Sequence, residues 1–405
     1  MAKETVELSG HIVDSLLLPK ILDLIVDAGV DYRMTDVEIG RTNLDPSHVV
    51  IALEHDDEAA LASLIERMAV HGASLVGDSD AVLVAADRDG VLPEGFHSTT
   101  NLATDVRIDG SWVAVTNPEM DCGVVVSPDR SSVRTVPMHR VRTGDLVVLG
   151  NAGVRVHPPE KPRDRRAFEF MDSEVSSEKP KALLVAEVAD RMRAARARGE
   201  RILAVCGPAV VHTGGGPAIA RLVRDGWIDV LFAGNGFATH DMESNVLGTS
   251  LGISVTSGHG TEGGHSNHLR LINTVRRHGS IAAAVEAGFV PGGVMYECVQ
   301  RSVPFVLGGS VRDDGPLPDT IADVVVAADT MRDHIAGVGV ALMLASTLHA
   351  IATGNILPGG VETFCVDINQ AVVTKLADRG SHQALGIVTD VGPFCHDLVE
   401  ALGAE

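Results

Sequence analysis

The stretch RILAVCGPAVVHTGGGPAIARLVRDG, residues 201–226, joins an apolar run to a segment with the apolar spacing of a helix. Apolar strands alternating with helices build parallel sheets, and the turn between them is where such sheets can cradle phosphate groups. Three glycines occupy that turn: Gly214, Gly215 and Gly216. The dinucleotide pattern G-x-G-x-x-G is incomplete, because its third position holds Ile219 and the next strand, IDVLFAGNG, carries Asn235 rather than an acid. The stretch predicts a parallel α/β sheet and leaves a cofactor loop and an ordinary glycine turn both open.

Composition restricts the classes of partner. The 405 residues predict about two or three domains, and the formal net charge is -21. This excess of acid disfavours nucleic acid and anionic membrane as partners, since both need a basic face. The five cysteines are widely spaced with no C-x-x-C pair, which is typical of reduced thiols in a cytoplasmic protein. The most apolar segment, GVGVALMLASTLHAIATG, is interpreted as a buried core helix rather than a membrane span, because it holds His349 and several glycines.

Three regions of the sequence differ in composition and in predicted secondary structure. Residues 1–80 have the order β-α-β-β-α-β, which predicts a ferredoxin-like domain. Residues 81–177 consist of short Val- and Thr-rich runs broken by charged turns, followed by a Pro-rich charged linker, and predict a small β domain. Residues 178–405 alternate apolar strands, among them ILAVCGPAVV and ADVVVA, with helices. They predict a Rossmann-like domain with a parallel sheet.

The predicted strands of the last region end in residues suited to a nucleotide. Ligands of open parallel sheets bind beyond the carboxyl ends of the strands, where glycine permits close approach and a carboxylate holds a ribose diol. The residues predicted at those ends are 214–216, Asn235, Gly236, 308–314, 367–369 and Asp390. Each is explained singly as a turn or helix cap. Their coincidence on one sheet edge favours a site, with Asp367 supplying the acid missing from the first turn.

Two further clusters contain chemically active side chains. The segment GHGTEGGHSNH places His259, His265 and His268 close together, which suits a metal, but its glycines and its lack of cysteine favour structural or substrate-contacting histidines. The segment NPEMDCG brings Glu119 and Asp121 next to Cys122. Two acids beside a thiol suit acid/base work or binding of an amine, and a polar turn between strands explains them equally well.

Five blocks of the sequence resemble a known family. They are FHSTTNLATDVRIDGSWVAV, EMDCGVVV, AGNGFATHDMESNVLGTSLG, SVPFVLGGSVRDDGPLPDT and VDINQAVVTKLADRG. They look like the NAD-dependent ornithine cyclodeaminases related to the C-terminal half of bifunctional arginine dihydrolase/ornithine cyclodeaminases, which share an N-terminal LOR/SDH region. The resemblance covers nearly the whole chain. It implies a last domain like that of deoxyhypusine synthase, with tightly held NAD.

The resemblance also implies which residues contact the cofactor. Transferred position by position, the NAD contacts fall on Asn235, Gly236, Asp314, Ser346, Thr347, Leu348, His349, Asp367, Asp390 and Val391. The family pattern has Ala where Gly236 stands and Pro where Gln370 stands. Neither difference removes a functional group.

The reaction implied by the resemblance uses NAD as a catalyst. Ornithine passes a hydride from Cα to NAD, cyclises with loss of ammonia, and regains the hydride to become proline. Such a site needs an anchor for the carboxylate and groups that handle protons on the amines. The candidates are Arg312 for the anchor; Asp313, Glu119 and Asp121 for acid/base work or amine recognition; and Thr100 and Asn101 for substrate hydrogen bonds. A homo-oligomer, either a dimer or a tetramer, is also expected.

Two other functions use the same features. An amino-acid or opine (saccharopine-type) dehydrogenase would bind the same cofactor but release NADH. An amino-acid sensor would bind its ligand on the ferredoxin-like domain and hold NAD as a structural group.

Overall fold

The computed structural model describes residues 2–13, 17–41, 45–69, 71–77, 79–157, 175–176, 181–250, 253–254, 267–313, 315–378 and 384–403. The chain forms two compact units. Unit 1 comprises Met1–Asp172 together with Ile356–Gly360, and unit 2 comprises Ser173–Asn355 with Val361–Glu405. The two predicted N-terminal domains therefore lie in one unit.

Unit 1 begins with the predicted ferredoxin-like fold. Its elements are β1 (Ala2–Gly10), α1 (Leu17–Asp27), β2 (Asp31–Glu38), β3 (Ser47–His55), α2 (Glu58–Ala69) and β4 (Ser74–Leu75). The strands form an antiparallel sheet in the order β2-β3-β1-β4. The alternation of apolar residues in β3 turns Val49, Ile51 and Leu53 into the core, where they meet the apolar stripes of the two helices. This part of the prediction is confirmed.

The rest of unit 1 is the predicted β domain. Its strands are β5 (Val82–Ala85), β6 (Ala103–Ile108), β7 (Ser111–Thr116), β8 (Gly123–Val126), β9 (Val133–Val136), β10 (Leu146–Leu149) and β11 (Val154–His157), with a 3-10 turn at Met138–Arg140. They form a seven-stranded sheet in the order β11-β6-β7-β9-β8-β10-β5. Its core is rich in valine, as expected for short strands of β-branched residues.

Unit 2 is the α/β domain. Its first half contains β12 (Val175–Ser176), α3 (Lys181–Ala197), β13 (Arg201–Cys206), α4 (Ala209–His212), α5 (Gly216–Arg224), β14 (Val230–Gly234), α6 (Asn235–Leu247), β15 (Thr249–Ser250), β16 (Ile253–Ser254), α7 (Asn267–His278), α8 (Ile281–Glu286) and α9 (Val294–Gln300). Its second half contains β17 (Phe305–Gly308), β18 (Thr320–Ile321), α10 (Val324–His334), β19 (Val338–Leu344), α11 (Leu348–Ile356), β20 (Glu362–Asp367), α12 (Gln370–Asp378), β21 (Ala384–Val388) and α13 (Val391–Gly403).

Eight of these strands form the parallel sheet that the alternating pattern predicted. Their order is β12-β21-β20-β19-β13-β14-β17-β18. Strand β13 is central, and Ile202 to Cys206 are each 0% exposed because helices cover both faces of the sheet. The α/β prediction for the C-terminal region is confirmed.

Three local predictions were wrong. The apolar segment interpreted as one core helix forms β19 and then α11, because a short apolar run buried on both sides looks alike in a strand and a helix. The segment ADVVVA, predicted as a strand, begins α10, where the Asp323 carboxylate caps the helix by accepting from the amides of Val325 and Val326. The run ILAVCGPAVV was predicted as one strand, but strand β13 ends at Cys206 and the last residues of the run lie in the short helix α4. In the described part of the chain, no helix is both long enough and apolar enough to cross a membrane.

Candidate active site

The strand ends of unit 2 meet at one edge of the sheet. Cys206, at the end of β13, lies beside Leu344 of β19 and Ala233 of β14, and Gly234 lies beside Gly308 of β17. Because these strands are parallel and in register, the residues that follow them emerge on the same side. This is the edge at which open α/β sheets bind their ligands.

Asn235 links two of these strand ends. It is the first residue of α6 and is 6% exposed. Its side-chain amide donates to Oδ1 of Asp313 at 3.3 Å, and its Oδ1 accepts from the amide of Leu317 at 3.0 Å. Asp313 is also held through Oδ2 by the backbone amide of Ser310, at 2.8 Å. The structure thus brings the predicted residues Asn235 and Asp313 together, with Asn235 positioning the acid.

His349 covers the same two strand ends from the start of α11. A methyl group on Gly234 would lie 3.0 Å from Cε1 of His349, and one on Gly308 would lie 3.0 Å from its Nε2. Both positions therefore need glycine for the imidazole ring to sit over the sheet edge. Burial lowers the pKa of His349 from its usual value, against a smaller opposing effect of the Asp313 charge. The ring is neutral at pH 7 and can accept as well as donate a hydrogen bond.

The chain between β19 and α11 is strained. Ala345 has a φ of 47°, in the left-handed region that a residue with a Cβ rarely adopts. Such strain is often found beside functional sites. Of the predicted residues that follow, Ser346 is 8% exposed, whereas Thr347 and Leu348 are exposed.

Asp367 ends β20 and presents a carboxylate at the sheet edge. It is 9% exposed, and its Oδ1 accepts from the amide of Asn369 at 2.8 Å. The next residue, Ile368, is 76% exposed, and Leu348 is 79% exposed. A fixed carboxylate can accept hydrogen bonds from a ribose diol, and exposed apolar side chains can pack against a flat base. This strand end therefore suits a nucleoside.

Asp390 and Val391 lie where α13 begins. The Asp390 carboxylate accepts from the amide of Gly392 at 3.1 Å, and Val391 is 3% exposed. Asp390 therefore has a helix-capping role that explains it without a ligand.

The glycine turn Gly214–Gly216 is not at a strand end. Helix α4 separates Gly214, Gly215 and Gly216 from β13, so their predicted position directly after the strand was wrong. Gly214 has a φ of 81°, and its carbonyl oxygen lies 3.0 Å from Nε2 of His396 on α13. A methyl group on Gly215 would lie 3.0 Å from the carbonyl oxygen of Val210 on α4 and 3.4 Å from Cα of Gly392 on α13. Close packing against α4 and α13 explains this turn. Gly236, in the first turn of α6, has only Pro208 near the place of a methyl group, at 3.4 Å.

Unit 1 holds the second group of predicted residues. The Thr99 hydroxyl donates to the carbonyl of Glu119 at 2.5 Å and accepts from the amide of Cys122 at 3.0 Å. These bonds fix the NPEMDCG turn against the STTN segment. Glu119 is 7% exposed, whereas Asp121 is exposed and has a φ of 60°. An exposed acid in a strained backbone conformation is suited to meet a ligand.

Asn101 is the most unusual side chain of this group. It is 0% exposed, donates through Nδ2 to the carbonyl of Leu357 at 3.3 Å, and accepts at its backbone carbonyl from Gly359 at 2.6 Å. Its Oδ1 has no hydrogen-bond partner within the described residues. A buried amide oxygen without a donor is costly, and a bound ammonium or amide group would satisfy it. Neighbouring Thr100 accepts from the amide of Leu102 through Oγ1 at 3.3 Å.

Several predicted residues are less informative. Arg312 is exposed. Asp314, His259 and His265 lie outside the described residues. His268 lies in the first turn of α7. Where the structure is described, no three His, Cys, Asp or Glu side chains form a group able to hold a metal.

Helix α6 carries a buried polar network that was not predicted from the sequence. Glu243 is 0% exposed, meets Nδ1 of His240 at 3.1 Å through Oε2, and accepts from the Thr249 hydroxyl at 2.8 Å. The His240 ring lies 4.9 Å from that of His212, whose Nδ1 is 2.7 Å from the Ser250 hydroxyl. Burial, helped by His240, lowers the pKa of His212. The spacing of His240 and Glu243, three residues apart on one helix, was the available signal.

Comparison with known proteins defines the class. Three family models match: the LOR/SDH bifunctional enzyme conserved region over residues 3–102, and the first region and the Rossmann fold of the ArgZ-like arginine dihydrolase C-terminal part over 103–185 and 186–398. The chain is 50% identical to the ornithine cyclodeaminase of Methanocaldococcus jannaschii over 99% of this chain and 96% of that one. It is 41% identical to the bifunctional arginine dihydrolase/ornithine cyclodeaminase AgrE of Nostoc, over 98% of this chain and 58% of AgrE.

Solved structures agree. The apo structure of ArgZ, a cyanobacterial arginine dihydrolase, superposes with a TM-score of 0.87 at 36% identity, covering 100% of this chain and 58% of that one. The ternary complex of AgrE with ornithine and NAD+ has a TM-score of 0.54 at 38% identity with the same coverage. Fold and site together define a Rossmann-fold α/β protein that carries an N-terminal LOR/SDH region. The chain belongs to the ornithine cyclodeaminase family that shares the ArgZ-like C-terminal region.

Proposed function

We propose that this protein is an NAD-dependent ornithine cyclodeaminase that converts L-ornithine to L-proline and ammonia. The observation that carries the proposal is the 50% identity to a protein named ornithine cyclodeaminase along 99% of the chain. The AgrE complex supports the same pair of ligands, ornithine and NAD+, for a homologous chain.

The carboxyl edge of the unit 2 sheet fits NAD. Asp367 is suited to hold a ribose diol, and Ile368, which follows it, and Leu348, which follows the neighbouring strand β19, expose apolar surface. His349 is suited to contact the polar part of the cofactor as a neutral ring. When bound, NAD supplies the hydride acceptor and donor that the reaction needs.

The protein's own groups then handle binding and protons. Asp313, fixed by Asn235 and Ser310, is a candidate proton acceptor on unit 2. Arg312 is a candidate for the substrate carboxylate, to which a guanidinium binds in a bidentate way. In unit 1, the unsatisfied Oδ1 of Asn101 suits an ammonium group, and Asp121 and Glu119 are the candidate acids.

Redox balance gives the test. The purified protein is incubated in ordinary water with L-ornithine deuterated at Cα, and proline, ammonia and NADH are measured together. Internal return of the hydride predicts equal amounts of proline and ammonia, no net NADH, and deuterium retained at Cα of proline.

Each alternative function has its own outcome. An opine or amino-acid dehydrogenase would accumulate NADH and lose the label from its product. A sensor would bind ornithine without turnover. Proline with the label washed out would refute internal hydride return, and no proline at all would refute the assignment of ornithine as substrate.

A further inference from the structure

Strand β2 is the free edge of the ferredoxin-like sheet. Its only strand neighbour among the described residues is β3, and all eight of its residues are exposed. The opposite edge, β4, lies toward the second sheet of unit 1, where Arg155 of β11 meets Glu7 of β1 at 3.4 Å. An exposed edge strand has a row of unpaired backbone groups that can accept another strand.

One face of this edge is apolar. Pairing with β3 places Tyr32 opposite Leu53, Met34 opposite Ile51, and Val37 opposite Val49, all partners that face the helical core. Tyr32, Met34 and Val37 are nonetheless 41%, 43% and 47% exposed. Ile39, just beyond the strand, is 52% exposed. An edge strand with a contiguous exposed apolar row is typical of an interaction site.

The opposite face of the strand is charged. A bulge between the two halves of the strand determines which side chains share a face. Arg33 lies opposite Ala52 and Glu38 opposite His48, both on the open face of the sheet. The pairing register shifts between Met34 and Asp36, so Thr35 is an extra residue. Without this bulge, Met34 and Val37 would point to opposite faces.

The bulge makes β2 complementary to itself. In an antiparallel pair of β2 strands centred between Thr35 and Asp36, Met34 lies opposite Val37 of the second copy, and Tyr32 lies opposite Ile39. The same register sets Arg33 opposite Glu38 of the second copy, and two-fold symmetry repeats every pair. Each apolar residue thus meets an apolar residue, and each of these charges meets its opposite.

Other registers lack this match. Sliding one strand by one residue sets Tyr32 against Glu38 and Met34 against Asp36, which mixes the apolar and charged faces. Sliding it by two residues in the same direction restores the faces and sets Arg33 against Asp36, but it also sets Asp31 against Glu38, a pair of like charges that occurs twice by symmetry and is absent from the first register.

From this match we propose that β2 is a docking surface for a second copy of this chain, with Met34 opposite Val37 and Arg33 opposite Glu38. The two ferredoxin-like sheets join there into one continuous antiparallel sheet. The bulges at Thr35, which would hinder pairing with an unrelated strand, lie opposite one another at the two-fold axis.

Cysteine cross-linking tests the register. Opposite residues in an antiparallel pair have Cα atoms about 4.5 to 5.5 Å apart, within the range that a disulfide spans. The Met34→Cys/Val37→Cys double variant should form a covalent dimer on mild oxidation, resolved on a non-reducing gel. The Met34→Cys single variant, whose thiols lie apart, is the matched control. The five native cysteines are buried and should not interfere. No cross-link in the double variant, or equal cross-linking in the single variant, would overturn the proposal.

Charge exchange gives a second, independent readout by sedimentation velocity. Arg33→Glu and Glu38→Arg should each place two like-charged pairs at the interface and weaken the dimer about tenfold or more. The double exchange, Arg33→Glu/Glu38→Arg, should restore the wild-type dissociation constant. All four residues substituted in these tests are exposed, and far-UV circular dichroism checks that the fold is retained. A monomeric wild-type protein, or single variants that dimerise as the wild type does, would refute the interface.

Discussion

At the scale of single residues, Asn235 and Asn101 show how the same side-chain chemistry leads to different roles. Both amides are buried, but Asn235 has all its hydrogen bonds within unit 2, whereas Asn101 keeps one oxygen without a donor. The first therefore positions a neighbouring acid, and the second is the better candidate to contact a ligand.

Asp367 provides the sharpest residue-scale test of the cofactor site. Asp367→Asn keeps an oxygen that can accept from the amide of Asn369 but removes the negative charge that would hold a ribose. We expect NAD to bind more weakly by about 1 to 3 kcal/mol, the value of a charge-assisted hydrogen bond, when titrated by calorimetry. Asp397→Asn, on the exposed side of α13, is the control. Unchanged affinity in Asp367→Asn would remove this residue from the site.

Asp121 and Cys122 are adjacent but differ in environment. Cys122 is 1% exposed, and its thiol lies 3.5 Å from the carbonyl of Met120, which is typical of a structural cysteine. We expect Cys122→Ser to retain measurable turnover of ornithine and Asp121→Asn to lose about tenfold or more of kcat, as removal of an acid/base group does.

The backbone at Asp121 calls for a matched control. Asparagine tolerates the left-handed conformation, so Asp121→Asn changes charge without adding strain. Asp109, with a φ of 49° and an exposed ion pair to Arg130, provides the comparison: Asp109→Asn should leave turnover unchanged. If Cys122→Ser proved the more damaging change, the thiol would be the catalytic group.

At the scale of secondary-structure elements, α9 is held by a buried acid on α6. The two oxygens of Asp241 accept from the amides of Val294 and Met295, each at 2.9 Å, and the side chain is 1% exposed. Burial raises the pKa of Asp241 to about 6, and the two hydrogen bonds oppose the shift without cancelling it. The helix packing thus keeps a carboxyl group whose charged form is costly.

This shift predicts a pH dependence of stability. In the unfolded chain Asp241 ionises near 3.8, below its folded pKa of about 6. Its contribution is therefore most favourable below pH 4, and about 3 kcal/mol of stability is lost as the pH rises to about 6. Asp241→Asn does not ionise, so its unfolding free energy relative to wild type should increase between pH 4.5 and 7, measured by urea denaturation. A difference independent of pH would contradict the shift.

At the scale of the whole molecule, unit 1 is discontinuous in sequence. It includes Ile356–Gly360, whose backbone groups form hydrogen bonds with Asn101. Leu357 and Asn101 are 256 positions apart in the sequence. Contacts so distant in sequence form late, because closing a long loop costs conformational entropy before any bond forms. We therefore expect the environment of Asn101 to be completed only after the Ser173–Asn355 part of unit 2 and the Ile356–Gly360 segment have been synthesised.

Local patterns alone were enough to determine several features. Alternation in β3 and in β1 predicted the ferredoxin-like sheet, and continuous apolar runs such as β14 predicted a parallel sheet covered on both faces. These features follow from the periods of side chains along strands and helices, which are local properties of the chain. The strand-end position of Asp367 was predictable for the same reason, and the resemblance of the motif blocks indicated the family.

Tertiary structure alone decided the rest. The contact of the His349 ring with Gly234 and Gly308 joins groups far apart in sequence, as do the hydrogen bonds of Asn101 to residues 356–360. Glu243 and His240 are near each other in sequence, but a local pattern would leave these polar side chains in water rather than buried. The apolar segment after Gly337 is a strand because it pairs with β13 at the centre of the sheet. Packing against distant neighbours supplies energies larger than local propensity, and a single sequence does not display which neighbours will meet.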